Sequence, residues 1–215
     1  MPFMNAFLFN FVQVVFVIFI CSNDLCVRSR ETVEALYVRP VSNVKIVMGR
    51  NAGKLVAVTL LNFLSMGGAL FFNILYSGYA FNGSLYLFYW LTLTFPTLVF
   101  ILGLSNWLGQ VVKHQGLFIL LVLSIVGAGI LFLATRLEGF LDPFAREIPN
   151  VFSDITGHAG IVNYLLQRIT IFLIGIVFIF LTVGFYPRLD NSVNTRKKTG
   201  VLVGGLLLVL MIPVV

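Results

Sequence analysis

Six long apolar runs set the main constraint on what this chain of 215 residues can fold into. A helix needs roughly 20 predominantly apolar residues to cross the hydrocarbon core of a bilayer, within a range of about 17–25. The runs therefore predict an all-α fold: a polytopic membrane helical bundle of about six transmembrane helices, in a single domain over residues 1–215. The predicted spans are 4–21, 55–77, 84–104, 116–135, 169–185 and 200–215.

Composition excludes the soluble alternatives. Hydrophobic residues make up 59% of the chain and charged residues only 10%, against about 25% charged in ordinary soluble domains. A soluble globule of this size cannot hide so much apolar surface, because much of any folded surface faces water. A soluble enzyme, a disordered chain and a nucleic-acid-binding domain are therefore excluded, despite the net charge of +6. No Lys or Arg precedes the first run, so it is predicted to be a retained helix rather than a signal peptide.

The basic residues predict the orientation. Eleven of the 14 Lys and Arg residues lie in segments 22–54, 105–115 and 186–199, and the other three lie in 136–168. Loops rich in Lys and Arg stay on the cytoplasmic side of a membrane. Segment 22–54 is therefore expected in the cytoplasm, and segment 137–167 is expected to be external, short and packed against the bundle.

The predicted cytoplasmic segment 22–54 contains an amphipathic pattern. Apolar residues at helical spacing share one face, and charged residues occupy the rest: Val33, Leu36 and Tyr37 against Arg30, Glu31 and Glu34. Pro40 should end this helix, because the residue before a proline is displaced from the α region. Ser42 is a candidate N-cap for a second helix that runs through Lys54 into the membrane. The amphipathic helix either lies on the lipid surface or docks on a cytoplasmic partner.

The same segment resembles the first cytoplasmic loop of ABC-2 type transporter permeases. The resemblance rests on Arg30-Glu31-Thr32-Val33-Glu34-Ala35-Leu36, then Pro40-Val41-Ser42, then Gly49-Arg50. The chain departs from the family pattern at Arg50, where Lys is usual, and at Glu31, where Gly is common. The resemblance implies a coupling helix that docks on a cytoplasmic ATP-binding subunit. The docking residues it implies are Arg30, Glu31, Glu34, Leu36, Arg39, Pro40 and Ser42.

The register of this resemblance implies an incomplete permease. The family loop follows the second membrane helix, whereas here one span precedes it. The run 200–215 would then be a surplus helix that opens a second permease half, and the expected partner is such a half or a second copy of the chain. A weaker resemblance, to permeases fused to a metallopeptidase domain, rests on Gln167-Arg168 and Pro187-Arg188-Leu189. No His-Glu-x-x-His motif occurs in the sequence, so no peptidase chemistry is expected. The resemblance implies that the chain is found in a bacterial inner membrane.

The sequence carries no catalytic or cofactor motif. It has no phosphate-binding loop, so ATP hydrolysis is expected in a partner subunit and the chain itself is not expected to be an enzyme. Asp154 and His158 would share a face if helical, but two ligands do not make a zinc site, so no metal is expected. The predicted spans contain no Asp, Glu, Lys, Arg or His, which argues against an ion-driven pump.

Milder features within the spans leave two interpretations open. Six polar residues either tie helices together through hydrogen bonds or line a substrate path: Asn62, Ser65, Asn73, Thr92, Thr94 and Thr182. Small-residue pairs predict close helix approach at Ser65/Ala69, Ser124/Ala128 and Gly200/Gly204. Pro96 predicts a kink, and tyrosines near the turn after residue 77, including Tyr76, Tyr86 and Tyr89, predict an aromatic belt at headgroup level.

Together these features predict a permease subunit that moves an unidentified substrate across or out of the membrane, driven by ATP hydrolysis in its partner. The alternative is a non-transporting membrane scaffold or assembly protein.

Overall fold

The computed structural model describes residues 2–29, 42–76, 82–112, 114–133, 142–146, 150, 152–153, 157–158, 160–185, 200 and 204. About 90% of the described chain is helical. The helices are α1 (Pro2–Ser29), α2 (Asn43–Tyr76), α3 (Gly83–Tyr89), α4 (Phe95–Val111), α5 (Gln115–Ala128) and α6 (Ile161–Phe185). A π-helical turn (Trp90–Thr94) joins α3 to α4, and a second one (Gly129–Leu133) continues α5. Two short antiparallel strands, β1 (Phe152–Ser153) and β2 (Gly157–His158), are the one departure from the all-α expectation in this part of the chain.

Four helical stretches are long and apolar enough to cross a membrane: Phe3–Leu25, Val44–Tyr76, Gly83–Val111 and Ile161–Phe185. They indicate a membrane protein. The run predicted at 116–135 corresponds to a shorter apolar helix, Gln115–Leu131. The run predicted at 200–215 lies outside the described residues, apart from the helical Gly200 and Gly204.

The helices extend further than the apolar runs that predicted them. Helix α1 continues to Ser29, so the start of the predicted segment 22–54 is helical. The predicted start of the next helix is confirmed, because α2 begins at Asn43 and the Ile46 amide donates to the Ser42 carbonyl at 3.3 Å. Helix α4 continues to Val111, so most of the predicted loop 105–115 is helix and Ser105 is fully buried.

The beginning of α6 corrects two expectations. It starts at Ile161, eight residues before the predicted span, so the end of segment 137–167 is helical and Arg168 lies inside a membrane-length helix. Ionisable residues therefore do occur in the membrane-length stretches: Arg168 here, and Asp24, Lys45, Arg50 and Lys54 in the first two. The possible helical face shared by Asp154 and His158 is also wrong at His158, which lies in β2. Gly157 and Gly160 have positive φ angles of 65° and 67°, a backbone conformation that interrupts a helix before α6.

The core is built around α4. Its buried residues contact α1 and α5 in one apolar cluster that includes Val17, Ile101, Phe118 and Val122, each fully buried. On another side α4 packs closely along α6, where Gly103 and Gly175 lie against each other's helix. A Cβ atom on Gly175 would lie 2.7 Å from the backbone N and Cα of Phe100. The absence of side chains at these two positions is what brings the two backbones into contact.

The predicted small-residue pairs do not mark such contacts in the described part of the chain. Ser65, Ser124 and Ala128 are exposed. The aromatic belt is only partly found: Tyr76 is 81% exposed, whereas Tyr86 and Tyr89 are buried inside the bundle. A π-helical turn directly precedes α4 and ends two residues before Pro96, whereas the kink predicted at Pro96 stays a prediction.

Helix α2 contacts its neighbours along only a small part of its surface. Its apolar stretch Val44–Tyr76 has 33 residues. In the most apolar part of this stretch, only 11% of the residues are buried by the described chain. At 1.5 Å per residue it is about 50 Å long, longer than the roughly 30 Å hydrocarbon core. Its exposed side chains are apolar, including Leu60, Leu64, Phe72 and Ile74, which suits a surface that faces lipid or other membrane helices.

Close packing of α4 on α6 makes a stability prediction. Gly175→Ala should destabilise the protein by about 1–3 kcal/mol, because the added methyl group meets backbone atoms that cannot rotate away. Thermal unfolding in detergent measures the loss. Gly67→Ala in α2 is the matched control, since a Cβ there meets nothing within 4 Å; it should be neutral or slightly stabilising. Equal stability of the two variants would contradict the close contact.

Candidate functional site

Buried polar side chains of the described bundle form three groups at successive depths. The basal group lies where α1 ends and α2 begins, the central group lies near the middle of the spans, and the apical group lies where α6 begins. Hydrocarbon offers no hydrogen bonds, so polar groups in a bundle must find partners in the protein or in trapped water. These groups therefore show where the chain retains polar chemistry within an apolar fold.

The basal group joins three helices through Asp24 and Lys54. Asp24 of α1 accepts from Arg50 Nη2 at 2.6 Å and from Lys54 Nζ at 3.0 Å. Arg50 and Lys54 are four residues apart on α2, so they present their charges on one face. Lys54 Nζ also donates to Asn106 Oδ1 of α4 at 2.7 Å, and the Asn106 amide donates to Asn51 Oδ1. The ends of α1 and α2 are thereby fastened to each other and to α4.

Burial makes these charges interdependent. The side chains of Lys54 and Asp24 are only 11% and 15% exposed, and that of Arg50 is 29% exposed. Solvent screening is weak at such sites, so removing one partner of a charge pair leaves the other poorly compensated. Cys21 lies in the same group, with its buried thiol 3.7 Å from Lys54 Nζ.

The central group consists of three carboxamides and one carbonyl. Gln13 of α1 donates to Asn10 Oδ1 at 2.6 Å and to the Thr94 carbonyl at 3.2 Å, and it accepts from Asn62 of α2 at 2.8 Å. Gln13, Asn62 and Thr94 each lie within three residues of the midpoint of their own span. Three helices thus contribute polar atoms close to the middle of their apolar stretches.

The π-helical turn supplies the carbonyl of the central group. A π-helical turn interrupts the regular hydrogen-bond ladder, and such turns are frequent at functional sites. Here it begins at Trp90 and ends at Thr94, whose carbonyl accepts from Gln13 on a different helix. The irregularity and the polar group are therefore one structural feature.

The apical group surrounds Arg168. Its guanidinium donates to the carbonyl of Asp142 at 2.5 Å, to the carbonyl of Pro143 at 2.9 Å, and to Gln167 Oε1 at 2.8 and 3.1 Å. Arg168 is only 2% exposed. Thr97 of α4 donates to the same Pro143 carbonyl at 2.7 Å. The segment 142–146 is thus fastened to α6 and α4 through backbone carbonyls.

The segment 142–146 also packs on α1. The Phe144 ring, 1% exposed, stacks on Phe11 at 4.6 Å and meets Phe7 edge-on at 6.4 Å. The Asp142 carboxylate accepts from the amides of Phe144, at 2.9 Å, and Arg146. Segment 137–167 was expected to pack against the bundle, and for residues 142–146 this packing is confirmed.

A second contact at this end involves Tyr89. Its hydroxyl donates to the Asn150 carbonyl at 2.7 Å and accepts from the Phe152 amide at 3.0 Å. The Asn150 side chain in turn lies 2.5 Å from His158 Nδ1. Tyr89 therefore holds the short strands against α3.

Most of the predicted docking residues lie outside the described part of the chain. These are Arg30, Glu31, Glu34, Leu36, Arg39 and Pro40. Ser42 is described; it is exposed and directly precedes α2. The basal group lies on the two helices that flank the segment 30–41.

Three of the six polar residues noted in the spans show whether such residues tie helices together: two bond to another helix and one bonds within its own helix. Asn62 links α2 to Gln13, and Thr92 lies 3.0 Å from the Tyr164 hydroxyl of α6. Thr182 instead donates to the Phe178 carbonyl of its own helix. The helix-tying interpretation is confirmed for Asn62 and Thr92. Sequence analysis did not single out Asn10 and Gln13, although their spacing of three residues in an apolar run was a visible signal.

Within the described ranges no group of three or more His, Cys, Asp or Glu residues could hold a metal ion. Comparisons with protein-family models, with curated proteins and with solved structures gave no significant match to the chain.

The basal group makes a quantitative prediction. Asp24→Asn should lower the free energy of unfolding by about 1–3 kcal/mol, between the values typical of exposed and fully buried pairs, because Arg50 and Lys54 lose their shared carboxylate. Adding Lys54→Met should restore part of that stability. Chemical unfolding of the single and double variants measures the coupling. Lys45→Met, at an exposed position of the same helix, is the control. Strictly additive effects would contradict the proposed interdependence.

The apical group predicts that Lys cannot replace Arg168. A single ammonium cannot reproduce the planar fork that reaches two carbonyls and Gln167. Arg168→Lys should increase hydrogen exchange of the Phe144 and Arg146 amides at least tenfold, while exchange in α4 stays unchanged. Arg146→Lys is the control, because Arg146 is exposed. Unchanged exchange in Arg168→Lys would show that Phe144 packing and the remaining hydrogen bonds, such as that from Thr97, hold the segment without the guanidinium.

Proposed function

We propose that the chain is the permease subunit of an ABC-type transporter, driven by ATP hydrolysis in a cytoplasmic partner subunit. The observation that carries this proposal is the position of the basal group. It fastens α1 to α2 at the point where both helices approach the segment 30–41, and that segment resembles the coupling loop of ABC-2 type permeases.

The proposed mechanism is mechanical. The partner ATPase presses on the segment 30–41 when it binds and hydrolyses ATP. Because Asp24 bridges to Arg50 and Lys54, a displacement of the segment moves the ends of α1 and α2 together. Lys54 also contacts Asn106, so α4 receives the same displacement. Helices α1, α2 and the π-helical turn before α4 meet again at the central group, where the movement would alter a path for substrate.

The remaining partners belong to the same proposal. A second permease half or a second copy of the chain would complete the translocation path, and the exposed apolar face of α2 is available to lipid or to such a partner. The expected setting is a bacterial inner membrane, with the basal group on the cytoplasmic side in keeping with its Arg50 and Lys54.

One observation favours the second candidate, a non-transporting scaffold. The long apolar face of α2 contacts little of the described bundle, and such a face can also serve to assemble other membrane proteins. Co-purification separates the candidates: a permease subunit brings an ATP-binding subunit with it, whereas a scaffold brings other membrane proteins and no ATPase.

The proposal predicts a charge effect at Glu34. Glu34→Ala should weaken association with the ATPase by about 2 kcal/mol, roughly 30-fold, because a docked carboxylate loses its partner. Glu34→Lys should weaken it further by repulsion. Both effects are measured as ATPase association and transport by the full chain in nanodiscs.

Glu138→Lys is the control for this prediction, since it makes the same charge change on the expected outer side. It should bind the ATPase like the parent. If Glu34→Lys also binds and transports like the parent, the charged face is solvated and the amphipathic helix lies on the lipid surface instead.

A further inference from the structure

A crevice opens between α1 and α2 beside the central group. Its volume is about 140 Å³. Its walls are mainly apolar, and its floor carries the carboxamides of Gln13 and Asn62. The lining residues on the bilayer side include Val12, Phe16 and Leu64, which are 50%, 46% and 73% exposed. The crevice is therefore accessible from the direction of the lipid chains.

The polar atoms around the crevice have unused hydrogen-bonding capacity. A carboxamide can make about four hydrogen bonds, but among the described residues Asn62 makes one side-chain bond, to Gln13. Asn10 Nδ2 and Trp90 Nε1 are buried without a hydrogen-bond partner in the same part of the chain, but they lie outside the crevice lining: Asn10 is bonded to Gln13, and Trp90 lines a small adjoining cavity. A buried donor without a partner costs about 1–3 kcal/mol. The capacity that a molecule in the crevice can use is that of Asn62, which lines it.

A small cavity adjoins the crevice and accounts for part of this capacity. It has a volume of about 20 Å³ and is lined by Asn62, Trp90, Tyr86 and Thr94 among other residues. This volume is sufficient for one water molecule. Asn62 lines both spaces, so a trapped water on one side leaves its carboxamide available to a ligand on the other.

We propose that the crevice binds the head of an uncharged amphiphile that carries hydroxyl or amide groups. The lining residues bear no charge, and a charged group at this depth is costly unless an opposite charge compensates it. Carboxamides both donate and accept, which matches hydroxyl and amide heads. The apolar walls and the opening towards lipid suit an attached hydrocarbon chain.

The volume limits the size of the head. A protein cavity of about 150 Å³ holds a molecule the size of benzene, so the crevice accommodates roughly six non-hydrogen atoms, the size of a glycerol group. As an assignment of transported substrate class, this inference rests on the proposed permease function. As an assignment of a binding site, it rests only on the crevice and its carboxamides.

A photo-crosslinking experiment tests the site. The full chain in phosphatidylcholine nanodiscs is exposed to a monoacylglycerol with a diazirine near its head, or to the free fatty acid with the same chain and diazirine. Crosslinked residues are located by mass spectrometry. The monoacylglycerol should label Val12, Phe16 or Leu61 at least fivefold more than the fatty acid does. Similar labelling by both probes would overturn the assignment of an uncharged head.

Variants separate head recognition from simple lipid contact. Asn62→Leu should reduce monoacylglycerol labelling of the crevice at least fivefold, because the head loses its partner. Asn73→Leu makes the same change three turns further along α2 and should label like the parent. Val12→Trp fills the crevice from α1 without changing a carboxamide and should also lose the label. If Asn62→Leu does not fold, the test rests on Val12→Trp alone. If a variant that folds is labelled as strongly as the parent, the proposal is overturned.

The result is distinguishable from failure of the proposed function. Labelling needs no ATPase. If the crevice is labelled but the chain binds no ATP-binding subunit, the binding site is supported and the proposed transporter function is contradicted. If the chain is coupled to an ATPase but its crevice is not labelled, the transporter function is supported and this substrate class is contradicted.

Discussion

The hydrocarbon core of the bilayer cannot satisfy a hydrogen bond, and the arrangement of this bundle follows from that constraint. Polar side chains that would be unremarkable on a soluble surface must here be collected where neighbouring helices can satisfy them. Asp24 receives two cations from α2, Gln13 receives Asn62 and reaches the Thr94 carbonyl, and Arg168 is enclosed by carbonyl oxygens. Each group joins at least two helices, so the same contacts that satisfy polar atoms also determine which helices are neighbours.

The sequence was sufficient for the membrane class and for the approximate positions of most spans. Apolar runs are conspicuous, and the start of α2 after Ser42 followed from capping chemistry. Helix ends were less predictable, because the backbone continues past the last apolar residue wherever polar side chains have partners. Ser105 and Asn106 looked like a loop, yet both are buried in α4, and Asn106 contacts Lys54 and Asn51. Arg168 looked like a loop cation for the same reason.

Close helix contacts were also beyond sequence reasoning. Two small residues four apart on one helix are the usual signal, but here the contact is made by single glycines on different helices. Gly103 and Gly175 are separated by 72 positions, and neither has a small residue four positions away. Only the relative placement of α4 and α6 reveals that they meet. The candidate docking residues remain sequence predictions, since all but Ser42 lie outside the described residues.

The length of α2 has a consequence for motion when it is combined with the contacts of Lys54. Lys54 divides the apolar stretch Val44–Tyr76 unequally, with about 15 Å of helix on one side and about 33 Å on the other at 1.5 Å per residue. If the helix tilts as a rigid rod about that point, it acts as a lever with unequal arms and Lys54 as its fulcrum. A displacement of 1 Å at the short arm becomes roughly 2 Å at the far end. Although Asn62 ties the long arm to Gln13, the described residues bury little of its surface, which leaves α2 able to amplify small movements of its basal end.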